Sequence, residues 1–267
     1  MSNQKQNTIF VNENNGAFAN KLFSLFYSLS YYEYHKNDVS LPIIVNHNYE
    51  KLIFPYLMYI RLNFSLKNFF SFKKTVVSEK IIKINDENKG APFYYKTNSD
   101  VLIEGFCQDI SKINEKKCQD IFICPPIIEK KIKFLYGDVT KYVSLHVRRG
   151  DFVTHGSYKV LTKEYIENVI KKFYPNDKII VISDDMTWCK ENLSNLPNII
   201  FADKENNCLI DFFIQTFTKG NICSPSSFSI AGAILNKNNN CVIPKPFFNY
   251  DFPYVNLNLP YAKYEEL

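Results

Sequence analysis

The run from Lys178 to Ser183 reads KIIVIS, and its unbroken β-branched centre constrains the chain more than any other stretch. A strand with one wet face alternates apolar and polar residues; a continuous apolar run needs cover on both faces, as a parallel strand between helices has. Parallel neighbours require long crossover connections, usually helical. The chain supplies them. Strands are predicted over 8–11, 39–45, 81–84, 101–103, 143–147, 198–202, 221–224 and 241–244. Phe18, Leu22, Leu25, Phe26, Leu29 and Tyr32 recur at spacings of three and four, which places a helix over 18–35. Further helices are predicted over 110–123, ended by Pro125-Pro126, then over 127–134, 162–173 with Thr162 as N-cap and Tyr165 on the apolar face, 188–193, 209–218 with Asp211 in its first turn, and 230–235. Residues 49–72 carry too many aromatics around Pro55 for a period to be read, and the Tyr- and Pro-rich tail to Leu267 is expected to wrap back over the body. The pattern is α/β, doubly wound.

Val143 to Asp151 reads VSLHVRRGD. Val143, Leu145 and Val147 alternate with Ser144, His146 and Arg148, so His146 and Arg148 share a strand face while Arg149 points away or begins the loop at Gly150. Guanidinium is not neutralised at ordinary pH and is costly to desolvate alone, so two arginines at a strand end call for anions. Ligands of open α/β sheets bind beyond the strands' carboxyl ends, and the Arg fork matches phosphate oxygens. Two readings stay open on these residues: a phosphate-bearing ligand, or an ion pair with Asp151 that ties the loop.

Composition narrows the partners. A chain of 267 residues, 46% hydrophobic with 23 Phe and 18 Tyr, is globular rather than disordered. Its net charge of +5 is interspersed with acids rather than gathered in a stripe, which argues against nucleic acid. Seven cysteines without a C-x-x-C pair, and four histidines, outline neither a zinc site nor a disulfide scaffold. His35 and His47 read as surface or loop residues. The polar start MSNQKQN and the lack of an apolar run of about 20 residues point to a cytoplasmic protein, free or peripheral at the inner face of a membrane.

Three further stretches accompany VSLHVRRGDFV in a fixed order: VISDDMTWCKENL, SPSSFSIAGAILN and, upstream, Leu102-Ile103-Glu104-Gly105-Phe106-Cys107-Gln108. Together with Gly16-Ala17-Phe18-Ala19-Asn20 they resemble the motifs of glycosyltransferase family 11, the α-1,2-fucosyltransferases: H-x-R-R-G-D, S-D-D-x-x-W-C, S-S-F-S-x-x-G-A, L-x-G-Y-x-Q and G-x-L-G-N. Ala19 departs from the usual glycine, and Ile230-Ala231 from the usual pair of tryptophans, a change that alters packing behind the serine loop or one wall of the cleft.

The resemblance implies a GT-B-like fold of two Rossmann-like domains facing a cleft, 1–135 on the acceptor side and 136–267 binding the GDP-sugar. It implies inverting transfer of L-fucose from GDP-β-L-fucose to the 2-hydroxyl of a terminal galactose in glycan or lipopolysaccharide assembly, with no metal or other cofactor. Arg148, Arg149 and Asp151 would be catalytic. Gly16, Asn20, Gln108, His146, Asp184, Asp185, Ser226, Ser227 and Ser229 would bind substrate. Asp184 and Asp185 suit the guanine N1–H and amine, or else a salt link with arginine. The three serines suit phosphate at a helix start, or else simple N-caps. The loop at Gly16 suits a phosphate or sugar hydroxyl, or else is a plain βα turn. Another GDP-sugar transferase and a non-catalytic GDP-sugar or glycan-binding module are the rival functions.

Overall fold

The structure, a computed structural model, describes residues 7–12, 16–46, 54–73, 81–85, 91–94, 99–205, 207–250 and 255–267. His47 and most of the loop before Gly16 lie outside them. The chain divides into two compact units, 1–123 with 253–258, and 124–252 with 259–267. The expected boundary at 135/136 therefore falls earlier, and a short segment of the tail returns to the first unit.

The first unit holds β1 (Asn7–Asn12), α1 (Phe18–His35), β2 (Val39–Asn46), α2 (Phe54–Leu62), β3 (Phe70–Lys73), β4 (Ile82–Ile84), α3 (Ala91–Tyr94), β5 (Val101–Ile103) and α4 (Glu115–Ile121). Its sheet runs β3-β2-β1-β5-β4, all parallel. α1 buries Leu22, Leu25, Phe26 and Leu29 completely, each such side chain contributing about 1.5–3 kcal/mol. His35, expected at the surface, is buried instead: its Nε2 lies 2.6 Å from the Phe93 carbonyl and its ring tilts against Tyr31. The helix predicted over 110–123 is split, because the Asn114 side chain accepts the Lys117 N–H and starts α4 there.

The second unit holds α5 (Pro126–Tyr136), β6 (Val143–Val147), α6 (Lys163–Phe173), β7 (Ile179–Ser183), α7 (Met186–Leu193), β8 (Ile199–Phe201), α8 (Cys208–Phe217), β9 (Gly220–Ile222), α9 (Ser227–Leu235), β10 (Cys241–Lys245) and β11 (Ala262–Glu266). Its parallel sheet runs β11-β10-β9-β6-β7-β8. β7 is the KIIVIS strand, and it sits inside the sheet as its composition requires. Thr162 caps α6 through the Tyr165 N–H. α7 and α9 start earlier than their apolar residues imply, because Asp185 and Ser226 cap them. β11 was not expected: AKYEE is polar, yet as an edge strand it needs only one apolar face and a neighbour with open hydrogen bonds.

β6 is buried along its whole length. Val143, Leu145 and Val147 join Tyr165, Ile166, Val169, Cys189 and Leu193 in one core. The opposite face is polar and satisfied. Asn221 Nδ2 donates to Ser144 Oγ at 2.7 Å and to the Gln215 carbonyl at 2.8 Å, while Asn236 Nδ2 reaches the Gln215 and Thr218 carbonyls and Asn221 Oδ1. This network locks β9 onto β6. Gly232 lets α9 lie against Gln215 of α8, since a Cβ there would stand 3.0 Å from the Gln215 Cβ.

Asp211, like the Tyr165 hydroxyl, lacks this satisfaction: its Oδ1 is enclosed with no hydrogen-bond partner among the described residues, and burial raises its pKa to about 8. The folded state therefore keeps a proton that the unfolded chain releases near pH ~3.9. Stability is lost as pH rises from that value towards about 8, on the order of 1.4 kcal/mol per unit across the window. Asp211→Asn removes the titration, and thermal midpoints from pH 5 to 8 are expected to fall more gently in the variant; parallel curves would refute the assignment.

Candidate functional site

In the second unit β6 leads outward to β7 and β8, after which the chain returns to the other side of β6 to form β9. The crevice between β6 and β9 is thus the topological switch point, where diverging crossovers leave room at the carboxyl ends. His146 and Ser224 meet across it. His146 Nδ1 lies 2.6 Å from Ser224 Oγ, and Phe228 stands against the imidazole at 5.1 Å between centroids. Burial, aided by the Arg148 charge, pushes the His146 pKa down to about 3. It is a neutral hydrogen-bonding group, not a base, at physiological pH.

The two arginines part company at the end of β6. Arg149 turns towards α7: its guanidinium lies 4.0 Å from the centre of the Trp188 ring, and its Nε donates to Asp185 Oδ2 at 3.3 Å. Arg148 stays at the carboxyl edge, with Nη1 2.7 Å from Asp184 Oδ2, Nη2 paired with Asp151, and Phe152 beneath it at 4.9 Å. Arg148 is 32% exposed against 16% for Arg149, so a ligand reaches Arg148 more readily. Asp184 also accepts the Arg149 backbone N–H at 2.9 Å, and Asp185 caps α7. The salt link is what these acids form here. Each oxygen takes one donor in these contacts, and a carboxylate oxygen has a second lone pair for another. Gly150 has φ +23°, and a Cβ there would overlap the Asp184 carboxylate, which explains the glycine of the RRGD sequence.

The serine loop divides by role. Ser226 caps α9 by accepting the Phe228 N–H at 3.2 Å, and Ser227 is half-buried at the helix start. Ser229 lies inside the helix, fully buried, and donates to the Ser224 and Ser226 carbonyls; its hydroxyl holds the loop together. Ile230 and Ala231 are fully buried, so the departure at these positions falls in the packing behind the loop.

A strap secures the loop that follows Gly150. Phe152 and Tyr158 stack at 3.9 Å, Asn249 Nδ2 donates to the Gly156 and Tyr158 carbonyls, and Ser157 Oγ is 2.6 Å from Tyr250 Oη. In the first unit, Gln108 Nε2 donates to Asn20 Oδ1 at 3.0 Å, joining two expected residues; Gly16 lies just before α1, and Gly105 turns the chain at φ +94°. A polar ladder stands at that sheet's own switch point between β1 and β5: Asn46 donates to Asn12, Asn12 to Glu104, and Lys83 lies 3.7 Å from Glu104. Sequence reading missed Ser224, Phe228, Trp188 and this ladder. Ser224, Phe228, Trp188 and Glu104 each lie inside a motif stretch, and the tryptophan carried the plainest signal, a large ring within one helical turn of an acid beside an arginine site.

Glycosyl transferase family 11 matches the chain over residues 59–256. The chain belongs to this family. It is 36% identical over 115 residues to the O-antigen biosynthesis glycosyltransferase WbnK of Escherichia coli, an alignment covering 39% of this chain and 37% of WbnK. It is 26% identical to an alpha-1,2-colitosyltransferase of Escherichia coli, over 65% of this chain and 54% of that protein, and 32% identical to mouse galactoside alpha-(1,2)-fucosyltransferase 2, over 35% and 30%. The chain thus spans about half or less of these relatives' lengths. In fold it is similar to the fucosyltransferase NodZ from Bradyrhizobium, with a TM-score of 0.54 at 12% identity over 86% of this chain and 94% of NodZ, and to NodZ soaked with GDP-fucose, with a TM-score of 0.52 at 13% identity over 85% and 92%. The expected GT-B-like α/β class with two Rossmann-like units is shown. No helix among the described residues is long and apolar enough to cross a membrane.

Because lysine cannot keep both the Trp188 stack and the Asp185 bond, Arg149→Lys is expected to lower the thermal midpoint by several degrees, on the order of 1–2 kcal/mol. Arg148→Lys, in a more exposed pair, is expected to lower it by less. Scanning fluorimetry of both variants decides; equal losses would sink the division of labour.

Proposed function

We propose that the chain transfers L-fucose, with inversion, from GDP-β-L-fucose to the 2-hydroxyl of a terminal galactose on a glycan acceptor, in O-antigen or related assembly. The observation that carries this reading is Arg148 at the carboxyl end of β6 in a member of family 11, braced by Asp184 and Asp151, on the strand whose His146 meets Ser224 across the β6–β9 switch point. The acceptor oxygen would attack the anomeric carbon as the bond to the β-phosphate breaks, and the hydroxyl proton leaves with solvent or a base. Negative charge then grows on the departing diphosphate. Arg148 would meet it, with Ser226 and Ser227 at the start of α9 as further donors. Its present pair with the largely exposed Asp151 is weak enough for a phosphate to replace. His146 and one or both of Asp184 and Asp185 would meet the nucleoside, and Asn20 and Gln108, with the loop at Gly16, the acceptor sugar. With cationic forks in this place the transfer proceeds without a metal, and the protein works in the cytoplasm.

A second donor is favoured by one observation. The similarity to the colitosyltransferase covers 65% of this chain, more than that to WbnK or the mouse enzyme, so a colitosyl donor is the rival. Turnover measured with a panel of GDP-sugars against galactose-terminated acceptors tests both: the reading holds if GDP-fucose leads, and falls if it is not used.

Three results are expected alongside. Arg148→Lys keeps the fold yet lowers transfer by roughly a hundredfold or more, since an ammonium does not reproduce the bidentate fork; an active Arg148→Lys beside an inactive, folded Arg149→Lys would mean that Arg149 holds the phosphate. GDP is expected to raise the thermal midpoint well beyond UDP or ADP, and EDTA to leave turnover intact. Equal shifts for the three nucleotides would remove the guanine role of the acids, and activity lost to EDTA but restored by Mg²⁺ would overturn metal independence.

A further inference from the structure

We propose that the outward face of α5 docks the protein onto an anionic lipid surface. α5 turns Ile128, Ile132 and Tyr136 into its unit. On the opposite side Phe134 is 83% exposed and Ile127 63% exposed. Residues seven apart lie two turns along the same helical stripe, so the two apolar side chains are aligned rather than scattered. Lys130 lies between them, and Lys131 and Lys133 border the stripe on either side. Single exposed apolar residues need no explanation, but an apolar stripe within a basic border is the pattern of an interfacial helix.

Charge decides the kind of surface. Glu129 is the helix's one acid and stands at the margin of this face; Lys131 is shared with Glu205 at 2.5 Å, while Lys130 and Lys133 are exposed. Lys204 adds a further cation at the end of the helix, donating to the Leu135 carbonyl with its ammonium 5.3 Å from the Tyr136 ring centre. The lysine border decides between lipid and protein. The centre of a protein interface is depleted of lysine, whereas Phe134 and Ile127 project singly from the convex side of a helix among Lys130, Lys131, Lys133 and Lys204, a setting that suits a sheet of phosphates. A bilayer interface accepts such tips without complementary shape, and long lysine stems keep their ammonium groups at the phosphates while the rings enter below.

Sedimentation of the full chain with phosphatidylcholine vesicles, and with the same vesicles carrying phosphatidylglycerol, tests this. Binding is expected to be about tenfold tighter on the anionic vesicles and to fade at roughly 0.5 M salt. Phe134→Ser and Ile127→Ser should each weaken it severalfold, and Lys130→Glu with Lys133→Glu should abolish the preference for anionic lipid. Circular dichroism and thermal midpoints of these surface variants should match the parent protein. Absent binding, equal binding to both vesicles, or binding unchanged by Phe134→Ser would overturn the proposal. So would a dimer, seen by light scattering, that Phe134→Ser dissociates, since it would assign the face to a second copy of the chain.

Discussion

The second unit depends on burying β6 on both faces while ending it in two permanent cations. Burial demands apolar cover on the Val143, Leu145 and Val147 side and a satisfied polar network on the other. The cations demand carboxylates within a residue or two of the strand end. Parallel packing provides both at once, because β7 ends beside β6 and delivers Asp184 and Asp185 to the place where Arg148 and Arg149 emerge. An antiparallel neighbour would have ended at the other edge of the sheet.

From that constraint the local geometry follows. Pleating sends Arg149 under the edge, where Trp188 and Asp185 enclose it, and leaves Arg148 on top with two acids and an aromatic platform. One arginine builds the edge and the other offers its fork there. The serine loop shows the same division, with Ser229 and Ser224 spent on internal hydrogen bonds while Ser226 and Ser227 open α9. The strap at Asn249 and Tyr250 adds order to the loop bearing Asp151, whose carboxylate is the most exposed member of the cluster.

Reading the sequence recovered the elements whose pattern is strong and local. KIIVIS, the 18–35 helix and the Thr162 cap each follow from residues close together in the chain, and each appears where expected. Failures were of two physical kinds. Caps at Asn114, Asp185 and Ser226 moved helix starts, because one short side chain that satisfies an N–H outweighs the position of the first apolar residue. β11 and buried His35 were illegible because their partners, Lys245 to Cys241 and Phe93, lie far away in sequence.

The sequence by itself determined the parallel α/β class, the paired arginines at a strand end and the motifs of the family, since periodicity, permanent charge and spacing are properties of neighbours along the chain. Only the tertiary structure decided what those groups do to one another. That His146 is neutral and tied to Ser224, that Arg149 is enclosed while Arg148 is reachable, and that Ile230 and Ala231 are core all depend on which strand lies beside which. The physical reason is that solvation and charge pairing act through distances of a few ångströms, and those distances are set by the strand order β9-β6-β7, which joins residues from 35 to 78 positions apart.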